Sequence, residues 1–574
     1  MKNVKNLFGM AVMATALVGC SSNDNLNPNA NEGADKAGTA YASFKINLPT
    51  TSGTRAADDG KPTFAEGTAA EYEVKNGTIL IFDNSGKFVE SAELGTMNPW
   101  TKDTDDNGVT TAAAVTVQLH NVKVGTSYKA LVLLNNDVDA TTKKVTLPDV
   151  GDSYYTWSAA VGNANAPKYE STADGIFMAN APKYEATKDP TTLVDLNSVY
   201  ASREQAQANP ATVVYVERGL AKVTMDDFAP NYPINAGTYK GDNVKIVNWQ
   251  LDVTNKYTFP IHQADLKSEW SAVWSEPRFY DNTSSAFKRV YWGTDPNYSG
   301  TDNLTLTNCK NAFNMIGNGD VKGIPGKPQY CLENTFDLDN MKQGQTTRVV
   351  FKAVYTPKTF TSGETFYKIG NNTAIWKKAD LETQIKTLAI KAMKITDPDE
   401  QAMYSVDLTK GSNISGKAGQ HFVAAENIKF DPGESTITSK VDDGVINEIN
   451  EKLGLSEEDP TTHKEKVGIS TYLNGEAYYI ARIMHFNTLT PWEPGQPTYK
   501  DASLTLDQSN KKYLGRYGVL RNNWYALSVT KISNLGYPEV PEVKPNIPDD
   551  ENDQYINVEV KILDWAKRTQ EIEL

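Results

Sequence analysis

Alternation of apolar and polar positions is the strongest regularity of this chain, and it is clearest near the two ends. Ala42, Phe44, Ile46 and Leu48 alternate with Ser43, Lys45 and Asn47 until Pro49 stops the run, the period of two that gives a strand one buried face. Ile556, Val558, Val560 and Ile562 repeat the pattern around Asn557, Glu559 and Lys561. The two segments present equivalent apolar faces, so one groove could accept either. Past Ile562 the phase changes through Leu563, Asp564 and Trp565, as a bulge or bend requires, and alternation resumes around Ile572. Extended at about 3.3 Å per residue, the segment 555–574 reaches about 66 Å, more than one small sheet accommodates. Two readings stay open: a last strand of its own sheet, or a strand delivered elsewhere.

Between these ends lie further short runs bounded by turn residues: Gly77–Asp83, Val115–Leu119, Tyr128–Asn135, Val244–Trp249, Arg348–Tyr355, Ala477–Ile480 and Trp524–Val529. They predict a β-sandwich architecture. The run Val213–Val223 reads as the last strand of a first domain. Helical spacing occurs twice, at Leu381, Ile385, Leu388 and Ala392 after Asp380 and at Val445, Ile446, Ile449 and Leu453 after Asp443, which predicts short amphipathic helices covering sheet faces. With 28 Tyr, 39 Gly and 27 Pro, the composition agrees with an extracytoplasmic β-rich protein.

The first twenty residues change the picture. Lys2 and Lys5 precede an apolar run from Leu7 to Val18, too short to span a bilayer, and the run ends in Leu17-Val18-Gly19-Cys20. That box resembles the bacterial lipobox, which implies lipidation of Cys20 after cleavage of residues 1–19. Residues 21–40 have almost nothing to bury and read as a tether. After the first strand, Thr50–Gly60 is a loop of small polar residues in which Arg55 is the single basic residue between Lys45 and Lys61. Such a loop is a preferred nicking site, where an arginine-specific protease would detach the 42–48 strand together with the lipid. The bland alternative is a solvated loop arginine.

A net charge of -14 argues against nucleic acid and against an anionic membrane surface. Once Cys20 carries lipid, Cys309 and Cys331 remain, and an oxidising compartment permits them to pair as a disulfide. Pro538, Pro541, Pro545 and Pro548 with Asp549, Asp550, Glu551 and Asp553 read as a stiff, acidic spacer, residues 538–554, with nothing to pack. Asp103, Asp105 and Asn107 imitate the start of a calcium loop, but Ala114 stands where the bidentate carboxylate belongs, so the stretch reads as a turn and no metal or cofactor is expected. No Gly-x-Ser-x-Gly or paired histidines at metal spacing occur, and the five histidines are dispersed, which argues against an enzyme. A surface glycan-binding lipoprotein would share the lipobox and the β content, yet would have no use for a spacer followed by a long terminal strand.

The lipobox, Val216–Val223, Tyr330–Thr335, and Gly515–Tyr525 running to Tyr537-Pro538 together resemble the fimbrillins of Bacteroidales, type V pilins. The acidic spacer and the ending around Val558–Trp565 point to the kind that builds short, minor fimbriae. This resemblance implies an all-β chain of two tandem transthyretin-like Greek-key β-sandwich domains with short helical insertions, at 56–230 and 231–537. It implies a lipidated propeptide, 20–55, removed by an arginine-specific protease between Arg55 and Ala56. The removable strand is then Ala42, Phe44, Ile46 and Leu48. The donor that replaces it is the tail of another subunit, with Ile556, Val558, Val560, Ile562, Trp565 and Ile572. Implied partners are identical subunits, fimbrial anchor and tip subunits, the processing protease, and the outer membrane through the lipid. Having both a removable strand and a donor tail favours a stalk subunit. The chain departs from the family pattern at Asp564, where a proline is expected.

Overall fold

The computed structural model describes residues 39–49, 67–95, 101–102, 109–137, 143–160, 175–185, 188–264, 289–298, 305–335, 340–370, 372–410, 420–456, 467–485, 514–545, 547, 549 and 556–564, the last segment as backbone. In the N-terminal part, strands β1 (Ala40–Pro49), β2 (Gly77–Phe82), β3 (Phe88–Glu93), β4 (Thr101–Lys102), β5 (Val109–Leu119), β6 (Tyr128–Leu134), β7 (Met178–Asn180), β8 (Val194–Leu196) and β9 (Thr212–Arg218) form one sheet. Its order is β3-β2-β6-β7-β9-β1-β5-β4, with β8 also on β6. Strand β1 is therefore internal. It runs antiparallel to β5, from Ala40 opposite Leu119 to Pro49 opposite Val109, and parallel to β9, from Phe44 opposite Thr212 to Asn47 opposite Tyr215.

The inward side chains of β1, β2, β5, β6 and β9 make one core, in which Phe44, Ile46, Ile79, Ile81, Val117, Val132 and Val214 meet. The opposite face of β2 and β6 is also covered: Leu80, Phe82, Leu131 and Leu133 pack with Tyr154, Trp157 and Phe177. Burial on both faces explains why Thr78–Phe82 reads as an almost continuous apolar run instead of an alternation. Short helices accompany this sheet, among them α1 (Ala69–Tyr72) ahead of β2 and α2 (Arg203–Ala208) ahead of β9.

The run Val213–Val223 is not one strand of a first domain. It divides at Gly219 into β9 and β10 (Leu220–Met225), and β10 belongs to a different sheet. Gly219 donates its amide to the carbonyl of Phe177 at 2.8 Å, and a Cβ there would sit 3.3 Å from the Phe177 ring. The chain thus changes sheets ahead of residue 230, at a point too close to Phe177 for a larger residue to enter freely.

The C-terminal part pairs β10 with β13 (Gln329–Leu332) and β20 (Asn523–Ile532), and β20 with β21 (Ile556–Asp564), in the order β13-β10-β20-β21. A second sheet, β11 (Tyr232–Pro233), β12 (Asn243–Asp252), β14 (Arg348–Thr356) and β19 (Glu476–Arg482), has the order β11-β12-β14-β19. Val223, Trp249, Phe351, Tyr355, Tyr479, Tyr525 and Leu527 fill the core these strands share. The fold is an all-β sandwich, as the alternation predicts.

Between β14 and β19 the chain makes a third small core. Strands β15 (Phe366–Ile369), β16 (Ile375–Lys377), β17 (Gln420–His421) and β18 (Ile469–Tyr472) pair in the order β16-β15-β18-β17. Helices α3 (Lys378–Ala392) and α4 (Asp443–Lys452) pack there. Leu381, Ile385 and Ala389 of α3 meet Val445 and Ile449 of α4 and Tyr367 and Ile469 of the small sheet. Asp442 caps α4 by accepting the Val445 amide at 2.8 Å. The helices are where the spacing puts them and cover a sheet face as expected, that of the small sheet of this insert.

Candidate functional site

The alternating positions of β1 are all sealed: Ala42, Phe44, Ile46 and Leu48 are fully buried. Burying Phe44, Ile46 and Leu48 contributes about 5–9 kcal/mol before ordering costs, at roughly 1.5–3 kcal/mol each. Polar ties run along the strand. Tyr41 and Tyr200 exchange backbone hydrogen bonds at 2.7 and 2.8 Å, and the Ser43 and Thr116 hydroxyls meet at 2.9 Å. One position does not fit: Asn47 is buried, and its side-chain oxygen has no hydrogen-bond partner among the described residues. An unpaired buried acceptor costs about 1–3 kcal/mol, so the resident strand is less than optimal. Because β1 alone joins β5 to β9 among the described ladders, lifting it out divides the sheet and leaves two backbone edges above an apolar trough.

The tail lies elsewhere. Residues 556–564 pair antiparallel with β20 along an edge, from Ile556 opposite Ile532 to Asp564 opposite Asn523. Val558, Val560 and Ile562 stand opposite Val529, Leu527 and Tyr525. The phase change expected at Leu563 and Asp564 leaves no break in this ladder, and the register shift falls on β20, between Val529 and Lys531. Cys20, Arg55, Ala56, Trp565 and Ile572 lie outside the described residues.

Residues 538–545, 547 and 549 of the acidic spacer are not held away from the body; Asp550, Glu551 and Asp553 lie outside the described residues. Val540 and Val543 are buried, the Val540 amide donates to Asn318 Oδ1 at 2.7 Å, and Arg348 Nη2 donates to the carbonyl of Pro541 at 2.7 Å. Further on, the Gln343 amide donates to the carbonyl of Ile547 at 2.8 Å, and Thr346 Oγ1 donates to Asp549 Oδ2 at 3.2 Å. Proline count and like charge argue for a free spacer, but two valines and one arginine are enough to seat this part of it. Cys309 and Cys331 correct a second expectation: both are thiols in buried positions, with no disulfide between them. Cys331 is in the core of the C-terminal sandwich, whereas Cys309 Sγ sits against Gly344. Burial pushes the Cys309 thiol up to about 11.

The stretches that carried the family resemblance converge at the junction of the two halves. Glu217 on β9 accepts from Arg289 Nε at 2.7 Å and meets His262 Nδ1 at 2.7 Å. Arg289 Nη2 donates to the Arg521 carbonyl at 3.0 Å, and Arg521 Nε donates to Glu333 Oε2 at 2.8 Å. Two carboxylates and two guanidiniums thus compensate each other in a dry interior. Burial works to raise the Glu217 carboxyl, but the charges of Arg289, His262 and Arg521 outweigh it and hold the group down to about 2. Beside them, Arg218 Nη1 donates to Asn522 Oδ1 at 3.1 Å. Glu71 of α1 is bound by Lys222 Nζ at 2.7 Å and by the Tyr330 hydroxyl at 2.5 Å, and Lys222 Nζ stands 3.7 Å from the Trp524 ring centre. The signal for this cluster was in plain sight: Glu217, Arg218 and Lys222 are charges inside an apolar strand run, which is tolerable only when they are paired.

Residues 470–571 match the protein family described as major fimbrial subunit protein type IV, fimbrillin, C-terminal. No curated protein matches the chain. Among solved structures, the chain is similar to a fimbrial assembly protein from Parabacteroides distasonis at 12% identity, covering 59% of this chain and 93% of that one, with a TM-score of 0.26. The family match spans β19, β20, the whole spacer and the β21 strand paired with β20, so the C-terminal segment of this chain is similar to that of the fimbrial subunits called fimbrillins.

Proposed function

We propose that this chain is a fimbrial subunit, a stalk pilin that polymerises by donor-strand exchange and has a structural, not a catalytic, task. It is exported as a lipoprotein through Cys20 and held at the outer membrane. An arginine-specific protease cuts between Arg55 and Ala56, which releases β1 with the lipid. The 555–574 tail of the next copy then fills the slot between β5 and β9. The filament extends on the cell surface between anchor and tip subunits and serves adhesion and colonisation.

The observation that carries this reading is the position of β1, an internal strand with five fully buried apolar residues near the N-terminal end of the described chain. While covalently attached, β1 holds the slot through its high effective concentration. Once cut, it competes on equal terms, and its unpaired Asn47 favours replacement. The incoming strand regains ladder bonds and buried aliphatic area together, the energetics of β-augmentation. The test is the N-terminal residue of surface-assembled protein by mass spectrometry: Ala56 is expected, and filaments of normal length made by Arg55→Ala would refute the processing step.

A second reading follows from the pairing of β21 with β20, in which the tail is a permanent edge strand of its own sheet. The two readings separate on deletion of 555–574. Exchange predicts loss of polymer with a folded monomer, because only an edge ladder is removed. A permanent strand predicts a monomer that no longer folds.

A further inference from the structure

Removing β1 raises a mechanical question, because β5 then loses its main ladder. Among the described residues β5 pairs only with β1 and with the two-residue strand β4. Besides its core residues Val117 and Leu119, what then holds it is side-chain hydrogen bonding near its C-terminal end. Glu90 on β3, itself an edge strand bound to β2, is 7% exposed and turns its carboxylate toward the end of β5. Its Oε2 accepts the His120 amide at 2.9 Å, and its Oε1 accepts the Asn121 amide at 2.7 Å. A second tie comes from α2, where Arg203 Nη1 donates to the Thr116 carbonyl at 3.0 Å.

We propose that Glu90 is a positioning residue for strand exchange: its carboxylate replaces ladder bonds between the two ends of the sheet and holds β5 as the second wall of the slot while β1 is absent. The inference rests on the exchange reading above. In the uncut chain the tie is nearly redundant, because β5 is fixed along its length by β1. In the cut chain it becomes the main hydrogen-bonded link from β5 to the body, together with Arg203. The carboxylate suits this task because two convergent backbone N–H groups are satisfied by one rigid anion, and hydrogen bonds to a charged acceptor are the strong ones. His120 and Asn121 are exposed, so water can take over their amides and an alanine at position 90 need not unfold the uncut protein.

The experiment uses the full chain, uncut and cut by an arginine-specific protease, with a synthetic peptide of residues 555–574 as probe. For Glu90→Ala the uncut chain is expected to keep its fold and the slow amide exchange of residues 113–119. The cut chain is expected to exchange those amides faster and to bind the peptide more weakly by a factor on the order of ten or more. Glu90→Gln retains one oxygen acceptor and should recover part of the affinity, which a general loss of stability would not produce. Wild-type peptide affinity in cut Glu90→Ala, with unchanged exchange at residues 113–119, would overturn the proposal. Failure of the cut wild-type chain to bind the peptide would instead overturn the exchange reading, and this proposal with it.

Discussion

Replacing Phe44 with alanine separates the two lives of the slot. Phe44 is fully buried between Val115 of β5 and Thr212 of β9 and touches the core that includes Ile79 and Val132. Truncating a buried phenylalanine costs about 3–5 kcal/mol, from lost transfer energy and the cavity left behind. In a unit of about 150–250 residues each kcal/mol lowers the melting temperature by about 2–4 °C, so the N-terminal transition of uncut Phe44→Ala should fall by about 6–20 °C. Polymer assembled from the same variant should melt with wild-type polymer, because β1 has left and the tail of another subunit fills the slot. Calorimetry on the uncut chain and on purified filaments reads both values. A polymer weakened by the same interval as the precursor would mean that β1 stays in the filament, and the exchange argument would fail.

Three further outcomes follow from other parts of the structure. Asn47→Val removes the unpaired buried oxygen, so the uncut chain should gain about 1–3 kcal/mol and the cut chain should release β1 more slowly, measured by thermal melting and by chromatography of the freed fragment. Cys309 and Cys331 should both be alkylated after denaturation without reductant, while Cys309 in the native protein should react slowly at neutral pH, since burial raises its thiol to about 11; a product carrying no label would restore the disulfide. Glu217 titrates at about 2 in the folded chain against 4.5 ordinarily, so its share of stability is complete above about pH 4.5 and is lost as pH falls toward 2. Glu217→Gln should flatten that acid limb in a pH series of melting temperatures and lower stability at neutral pH by stranding Arg289; an unchanged limb would show that the buried cluster is not the acid-sensitive element.

The sequence by itself determined the parts that depend on local periodicity. Residues 42–48 and 556–562 form strands because alternation leaves a strand one buried face, and α3 and α4 form where apolar residues recur at helical spacing. The tertiary structure decided where those elements go. Nothing in the alternation of β1 says that it is internal, parallel to β9 and antiparallel to β5, because neighbours in a sheet come from distant parts of the chain. The division of Val213–Val223 between two sheets depends on the close approach of Phe177 to Gly219, a contact no local pattern carries. The seating of Val540 and Pro541 depends on Asn318 and Arg348, far away in sequence, against what the prolines of that stretch suggest. The buried ion cluster was half legible: charges inside an apolar run announce that partners exist. Only the packed fold shows that Glu217 meets Arg289 and His262 while Glu333 takes Arg521, since a buried charge constrains the chemistry of its partner and not its place in the sequence.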